Sequence, residues 1–463
     1  MENFIPEDII AQKLESAKNV SEQEVLKIIN RASDCKGLNP DEVAAILVSD
    51  QPAVVKRLFD VAEQIKKKIY GNRIVLFAPL YVTNECGNNC AYCGFRSINT
   101  DLKRKTLSED ELAEEIRILE DMGHKRVLLV YGEHPKFGAD WIVDTINTVY
   151  RTKSSKSGEI RRVNINSAPM SVEDFKKIKL AGIGTYQCFQ ETYHKATYEK
   201  MHLSGRKKDY LYRLYALDRA QEAGIDDVAI GVLFGLYDWK FEVMAILYHA
   251  LHLEEKYGVG PHTISFPRLE PALGSDISFH PPYKVSDHDF KRLVAILRLM
   301  VPYTGLILTT RETPEIREDC FKLGTSQISA GSRTYPGGYH DLKADMPDKQ
   351  QFTIGDERPL YEVMKDLVEH DYLPSFCTAC YRLGRTGMTF MGITKGGHIH
   401  EYCSRNALLT FKEYLIDYAP EETKKAGEEF IERELNRLPK DYAKSVREKI
   451  ALMENNNERD IYY

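Results

Sequence analysis

From Ile74 onward, short β-branched or aromatic runs alternate with amphipathic stretches, and the two hydrophobic periods, 2 and 3.6 residues, mark strands and helices respectively. Eight strand-like runs stand out: Ile74 to Thr83, Arg126 to Tyr131, Val163 to Ser167, Thr185 to Gln190, Val228 to Leu236, His262 to Pro267, Leu306 to Thr310 and Gln327 to Ala330. The stretches between them carry helix punctuation. Ser108 and Glu111 box the start of a helix that stops at Gly123, Ser171 opens one that stops at Gly182, another ends at Gly224, and Ser286 caps one that runs to Pro302. Eight alternations predict an α/β fold, a closed parallel (β/α)8 barrel of the TIM type, although an open doubly wound sheet has the same local texture.

Upstream, Ser21 with Glu24 and the run Asn39-Pro40-Asp41-Glu42 are helix N-termini, so residues 1–70 read as an N-terminal helical extension. Residues 71–340 hold the barrel pattern. Beyond Ala330 the pattern breaks, and His340 to Pro359 is polar, a linker or a long ordered crossing. Residues 341–463 are then a C-terminal unit with three cysteines and a glycine-rich stretch. Helices dense in Glu, Lys and Arg complete it, their alternating charge marking a solvated face.

The 463-residue chain is 43% hydrophobic and 29% charged, with a formal net charge of −6, so it offers no general positive field to nucleic acid or anionic lipid. Its start, MENFIPEDIIAQKLESAKNV, lacks the basic and apolar segments of an export signal, and no run reaches the ~18 apolar residues of a membrane span. A cytoplasmic protein with no membrane and no nucleic-acid partner is expected. The cysteine count is odd, 9, and six cysteines fall into two groups, which suits metal ligation in a reducing compartment. Cys35, Cys188 and Cys320 have no neighbour at metal spacing and read as buried thiols.

The first group, Cys86-Gly87-Asn88-Asn89-Cys90-Ala91-Tyr92-Cys93, follows the first strand, at the rim where barrels place chemistry. Three thiolates can hold three irons of a four-iron cluster, and the fourth iron is then open to a substrate or cofactor. Zinc completed by a remote ligand, or plain buried thiols, are the competing readings. The spacing, with an aromatic residue before the last cysteine, resembles the signature of radical S-adenosylmethionine (SAM) enzymes.

That resemblance implies a 4Fe–4S cluster on Cys86, Cys90 and Cys93 and reductive cleavage of SAM to a 5′-deoxyadenosyl radical. Tyr92 corresponds to the aromatic that contacts adenine. Gly132-Glu133 corresponds to the motif that receives the SAM amino group, with Tyr131 replacing a usual glycine and Glu133 the stronger match. A carboxylate suits an ammonium through charge-assisted hydrogen bonds. Glu191 and Arg213 lie where related enzymes hold the SAM ribose and carboxylate.

The second group pairs Cys377 and Cys380 with Cys403, near His398 and His400, and by spacing alone reads as structural zinc. The surrounding text is more specific. Cys377-Thr378-Ala379-Cys380-Tyr381-Arg382-Leu383-Gly384-Arg385, together with Gly132-Glu133-His134-Pro135, Gln190-Glu191-Thr192-Tyr193-His194, Gly258-Val259-Gly260-Pro261-His262 and Ser265-Phe266-Pro267-Arg268, resembles the tyrosine lyase maturases of FeFe-hydrogenase over nearly the whole chain. The barrel segments are also similar to 2-iminoacetate synthase of thiamine thiazole biosynthesis, a family without the C-terminal cysteine unit.

The maturase resemblance implies a two-step lyase. L-Tyrosine is cleaved to p-cresol and dehydroglycine, and the latter travels to an auxiliary 4Fe–4S cluster on Cys377, Cys380 and Cys403. There it yields carbon monoxide and cyanide, collected on a labile fifth iron with free L-cysteine as a ligand. His262 corresponds to the protein ligand of that iron, an assignment imidazole suits. Arg311, at the seventh strand end, is the candidate for the substrate carboxylate, because a guanidinium fork matches a carboxylate. The implied partners are an electron donor such as ferredoxin or flavodoxin, and hydrogenase maturation proteins that receive an iron, carbonyl, cyanide and cysteine unit.

Overall fold

Backbone hydrogen bonding closes the alternation into a ring. The computed structural model describes residues 2–154, 158–341, 346, 348–396 and 399–463. Its strands are β1 (Arg73–Thr83), β2 (Arg126–Tyr131), β3 (Arg162–Asn166), β4 (Tyr186–Gln187), β5 (Val228–Gly231), β6 (Thr263–Ser265), β7 (Gly305–Leu308), β8 (Gln327–Ser329) and β9 (Leu373–Ser375). β2 to β8 pair in parallel in chain order, and β1 joins β8 to β2, so the barrel is closed and the open-sheet alternative is excluded. Closing the eight strands buries both faces, which is why β2 is buried along its whole length and apolar from Val127 to Val130.

β4 and β5 are shorter than their apolar runs suggest. Beyond Gln187 and Gly231 the chain leaves the sheet for the rim, where single bridges, Glu191 with Val232 and Phe234 with Arg268, continue the contact. The helices between strands stop where the glycines fall: Gly123, Gly182 and Gly224 take left-handed φ of 97°, 78° and 87°. Ser108 and Glu111 form the expected capping box, as do Asn39 and Glu42.

β9 was not foreseen. It lies parallel to the lower end of β1, with Arg73, Ile74 and Val75 opposite Leu373, Pro374 and Ser375, whereas β2 pairs with β1 only from Ala78 upward. A strand from the C-terminal part of the chain thus seals the barrel floor beside β1. Pro52–Tyr70, the last N-terminal helix, packs on the barrel helices Asp287–Met300 and Pro314–Leu323 and on the C-terminal helix Ile399–Asp417. From Gln350 to Asp356 the polar segment runs over the barrel mouth: Gly94 N–H donates to Gln351 O at 3.2 Å and Gly355 N–H to Thr310 O at 2.8 Å. Among the described residues, no helix is long and apolar enough to cross a membrane.

A buried ion pair ties the C-terminal helices to the barrel. Arg161, at the foot of β3, donates to Glu413 through both Nη atoms at 3.2 and 2.6 Å, and both side chains are almost fully buried. Removing Glu413 takes both Nη bonds from a buried guanidinium that keeps only Asp460 at 3.1 Å and Glu159 at 3.6 Å, a penalty at the low end of about 3–5 kcal/mol. Glu413→Ala is therefore expected to lower stability by about 3 kcal/mol in anaerobic urea unfolding. A loss below about 1 kcal/mol would mean that water reaches Arg161.

Candidate active site

The Cys86–Cys93 loop leaves the C-terminal end of β1 and is fixed by backbone bonds to three other segments. Gly87 N–H donates to Glu133 O at 2.8 Å, Asn89 N–H to Ser204 O at 3.0 Å and Ala91 N–H to Met201 O at 2.8 Å. All three cysteines line a cavity of about 200 Å³ in the barrel mouth, together with Tyr92, Gly132, Glu133, Glu191 and Arg213. Residues from segments more than a hundred positions apart are thereby gathered. Tyr131, Gly132, Glu133, Ser167 and Ala168 also line an adjoining cleft of about 730 Å³.

The polar groups here are pre-oriented. Asn88, inside the cysteine loop, donates from Nδ2 to Glu133 Oε2 at 2.8 Å and accepts the Lys207 N–H on Oδ1 at 2.9 Å. Gly132 has no room for a side chain, because a Cβ would stand 2.3 Å from Glu85 O; it is a packing requirement as much as a binding one. The Tyr92 ring is held by His202. His202 Nδ1–H donates to Tyr198 O at 2.8 Å, which leaves Nε2 to accept the Tyr92 hydroxyl at 2.8 Å.

Glu191 has a left-handed backbone, φ 69°, which costs energy for a residue with a Cβ. Two features hold it. Its carboxylate sits 2.6 Å from Lys207 Nζ and 3.9 Å from Arg213, and these cations outweigh burial and keep its pKa below the usual carboxylate range. Next to it, the buried Glu242 carboxyl contacts the Thr192 hydroxyl and accepts the Tyr193 N–H at 2.9 Å.

Burial disfavours thiolates in this cavity. It pushes Cys90 up to about 12, and it raises Cys93 with Cys86 adding to the effect. Cys93 Sγ already accepts the Phe95 N–H at 3.4 Å and faces Gln351 Nε2 at 3.6 Å. Three thiols in a dry pocket with such donors suit a multinuclear cationic centre, which supplies the positive charge that thiolates lack here. Among the described residues, no three His, Cys, Asp or Glu side chains form a group that could hold a single metal ion.

Arg311 is placed differently from the rest. Its guanidinium carbon lies 3.3 Å from the centre of the Phe352 ring, and Phe352, not Arg311, lines the cavity.

The second cysteine group lies at the opposite end of the barrel. Cys377, Cys380 and Cys403 line a cavity of about 50 Å³ with Arg73, Arg126, His262, Gly305 and Gln327, residues at the N-terminal ends of strands, and with Tyr381 from the short helix Ala379–Arg382. Cys377 follows β9 by two residues, its N–H donating to Ser375 Oγ at 3.2 Å and its carbonyl accepting from Arg126 at 2.8 Å. Cys403 is the thiol of this group that ionises first. A hydrogen bond from Cys380 and then the Arg73 and Arg385 charges hold it below the usual thiol range against the effect of burial. His262 is pressed toward the neutral form by burial, its Nε2 3.3 Å from the Tyr381 hydroxyl and its Nδ1 3.8 Å from Asp227. His398 lies outside the described residues.

Sequence reading quoted Asn88 and Tyr381 inside the cysteine motifs without a side-chain role for either, and missed Lys207, His202, Glu242, Phe352, Arg73 and Arg126. Only Asn88 carried a local signal, its place between cysteines. Cys188 and Cys320 are buried thiols, as expected, whereas Cys35, expected to be buried with them, is only partly buried in the turn after an N-terminal helix.

The Radical SAM superfamily profile matches residues 80–247, and that of the Biotin and Thiamin Synthesis associated domain matches 265–373. The chain is 33% identical over 332 residues to 2-iminoacetate synthase of Escherichia coli (strain K12), covering 71% of this chain and 84% of that protein. A crystal structure of HydG, described as a maturase of the FeFe-hydrogenase, superposes with a TM-score of 0.96 at 52% identity, covering 100% of both chains. HydG from Carboxydothermus hydrogenoformans, an FeFe-hydrogenase maturase, gives 0.82 at 40% identity, covering 96% of this chain and 98% of that one.

Two measurements test this geometry. Burial raises Glu242 to about 8, so between the ordinary carboxyl value and pH 8 the folded state holds a proton that the unfolded state releases, and stability falls as pH rises. Glu242→Gln, which mimics the protonated form, is expected to flatten the decline in melting temperature over that interval; an unchanged slope would refute the shift. Asn88→Ala removes a charge-assisted bond worth about 1.5–3 kcal/mol, and SAM binding is expected to weaken about tenfold, read by equilibrium dialysis of reconstituted protein.

Proposed function

The chain belongs to the HydG family of FeFe-hydrogenase maturases, within the radical SAM superfamily, and from that premise we propose that it cleaves L-tyrosine to p-cresol and dehydroglycine and converts the latter to carbon monoxide and cyanide. The observation that carries the proposal is the pair of thiol sites at opposite ends of one barrel. The two cavities share four strands and differ by one inward position on each: Phe77 and Val75 on β1, Leu128 and Arg126 on β2, Ile307 and Gly305 on β7, Ser329 and Gln327 on β8. Two strand residues span about 7 Å, so a small fragment released above has a short path below.

When bound, the barrel cluster supplies the electron that cleaves SAM, and the auxiliary centre supplies the iron on which the diatomic products are collected. The chain's own residues do the rest. Glu133, aimed by Asn88, accepts the SAM ammonium, and Tyr92, fixed by His202, offers its ring to adenine. Lys207 and Arg213 keep Glu191 ionised beside them for the ribose and carboxylate end. Phe77, Leu128, Val130, Ile307 and Phe352 wall the chamber and keep water from a radical. Arg311 takes the tyrosine carboxylate once Phe352 turns aside. At the far end Cys377, Cys380 and Cys403 hold the auxiliary cluster, and neutral His262 and free L-cysteine are ligands of the labile iron, which leaves as cargo for hydrogenase maturation. A low-potential protein such as ferredoxin or flavodoxin is the proposed electron donor.

The second reading is a 2-iminoacetate synthase that stops after the first step, favoured by the 33% identity to that enzyme and opposed by the second thiol site. One anaerobic assay separates them: iron-reconstituted protein with SAM, tyrosine, cysteine and reductant, analysed for p-cresol and for carbon monoxide trapped on deoxyhaemoglobin. Both products are expected. Replacing Cys377 and Cys380 by Ser is expected to abolish carbon monoxide and spare p-cresol. p-Cresol without carbon monoxide from the intact chain would favour the synthase, and neither product with full iron would sink the tyrosine assignment.

A further inference from the structure

Two neighbouring residues of the segment that runs over the barrel mouth reach different groups of the site. Phe352 covers Arg311, whereas the half-buried Gln351 reaches a cysteine. Gln351 Nε2 stands 3.6 Å from Cys93 Sγ, and its Oε1 accepts the Tyr81 hydroxyl at 2.8 Å. Tyr81 belongs to β1 and is only 5% exposed. A second donor, the Phe95 N–H, approaches the same sulfur at 3.4 Å.

The backbone fixes this contact. Gln351 N–H donates to Thr334 O at 3.0 Å, Gly94 N–H to Gln351 O at 3.2 Å, and Thr334 Oγ1 to Phe352 O at 3.1 Å. A Cβ on Gly94 would stand 2.7 Å from Gln351 O, so the residue after Cys93 leaves room for the segment to lie against the cysteine loop.

Chemistry decides which way the amide faces. A cysteine sulfur bound to iron has no proton to give and can only accept, so the NH2 end of Gln351 suits it. Tyr81 then donates to the carbonyl end, and burial, which raises the pKa of its hydroxyl, keeps the proton there. A reduced cluster carries one more negative charge than an oxidised one, so a donor at a ligand sulfur stabilises the reduced form more.

We propose that Gln351, oriented by Tyr81, donates to the ligated sulfur of Cys93 and raises the reduction potential of the barrel cluster. It is a positioning residue that acts through Cys93. The proposal rests on the radical SAM cluster at Cys86, Cys90 and Cys93 and not on the tyrosine reading.

The test is an anaerobic potentiometric titration followed by electron paramagnetic resonance, with iron and sulfide measured on the same samples. It is run on the reconstituted full chain and on one carrying Cys377→Ser and Cys380→Ser, in which the barrel cluster supplies the signal. Gln351→Met keeps the length of the side chain and loses the donor. Reduction is expected to become about threefold to tenfold less favourable, tenfold being about 59 mV for a one-electron couple. The sign separates this from a loosened segment, because water admitted to the cluster would stabilise the reduced form and move the potential upward. Full iron with an unchanged or raised potential overturns the proposal. Should Gln351→Met lose iron, Tyr81→Phe decides, since it frees the amide and leaves the crossing segment intact: full iron with a lowered potential supports the proposal, and full iron with an unchanged or raised one overturns it. No iron uptake by the unsubstituted chain would defeat the cluster premise and the proposal with it, so the two failures are distinguishable.

Discussion

The hydrogen bonding of β1 organises the whole molecule. This eleven-residue strand is shared among three partners, β8 on one side and, on the other, β9 below and β2 above. β9 ends level with Val75 and β1 runs on to Thr83, eight residues higher, or about 26 Å at 3.3 Å per residue. Each strand then turns into a cysteine loop. Two thiol sites therefore open at opposite ends of one lumen, their separation set by strand register.

Charge follows the same axis. At the mouth, a carboxylate on a left-handed backbone is offset by Lys207 and Arg213, while burial favours the protonated form of Cys90 and Cys93 until a cationic centre replaces the protons. At the floor the balance is reversed. Arginines from β1 and β2 face thiols with no carboxylate among the described lining residues, so that end favours anions.

Much of this was legible in the sequence because it depends on local spacing. Period-2 apolar runs located all eight barrel strands, and Ser, Glu and Gly located the helix ends, since caps and left-handed stops are decided within one turn. Strand lengths at β4 and β5 were overestimated, because apolar residues continue into rim loops that pack without pairing. β9 was invisible for the opposite reason: three residues, one of them proline, carry no periodic signal and are ordered only by β1.

By itself the sequence determined the class of fold, the two cysteine groups and, through resemblance, the chemistry to expect of them, because cluster ligands and phasing motifs sit within a few residues of each other. Only the tertiary structure decided that the groups occupy opposite ends of one barrel, that Phe352 covers Arg311, and that Arg73 and Arg126 line one cavity with Cys377. The reason is physical. Those relations join residues from tens to hundreds of positions apart through strand register and barrel closure, and such long-range geometry is stored in no local pattern.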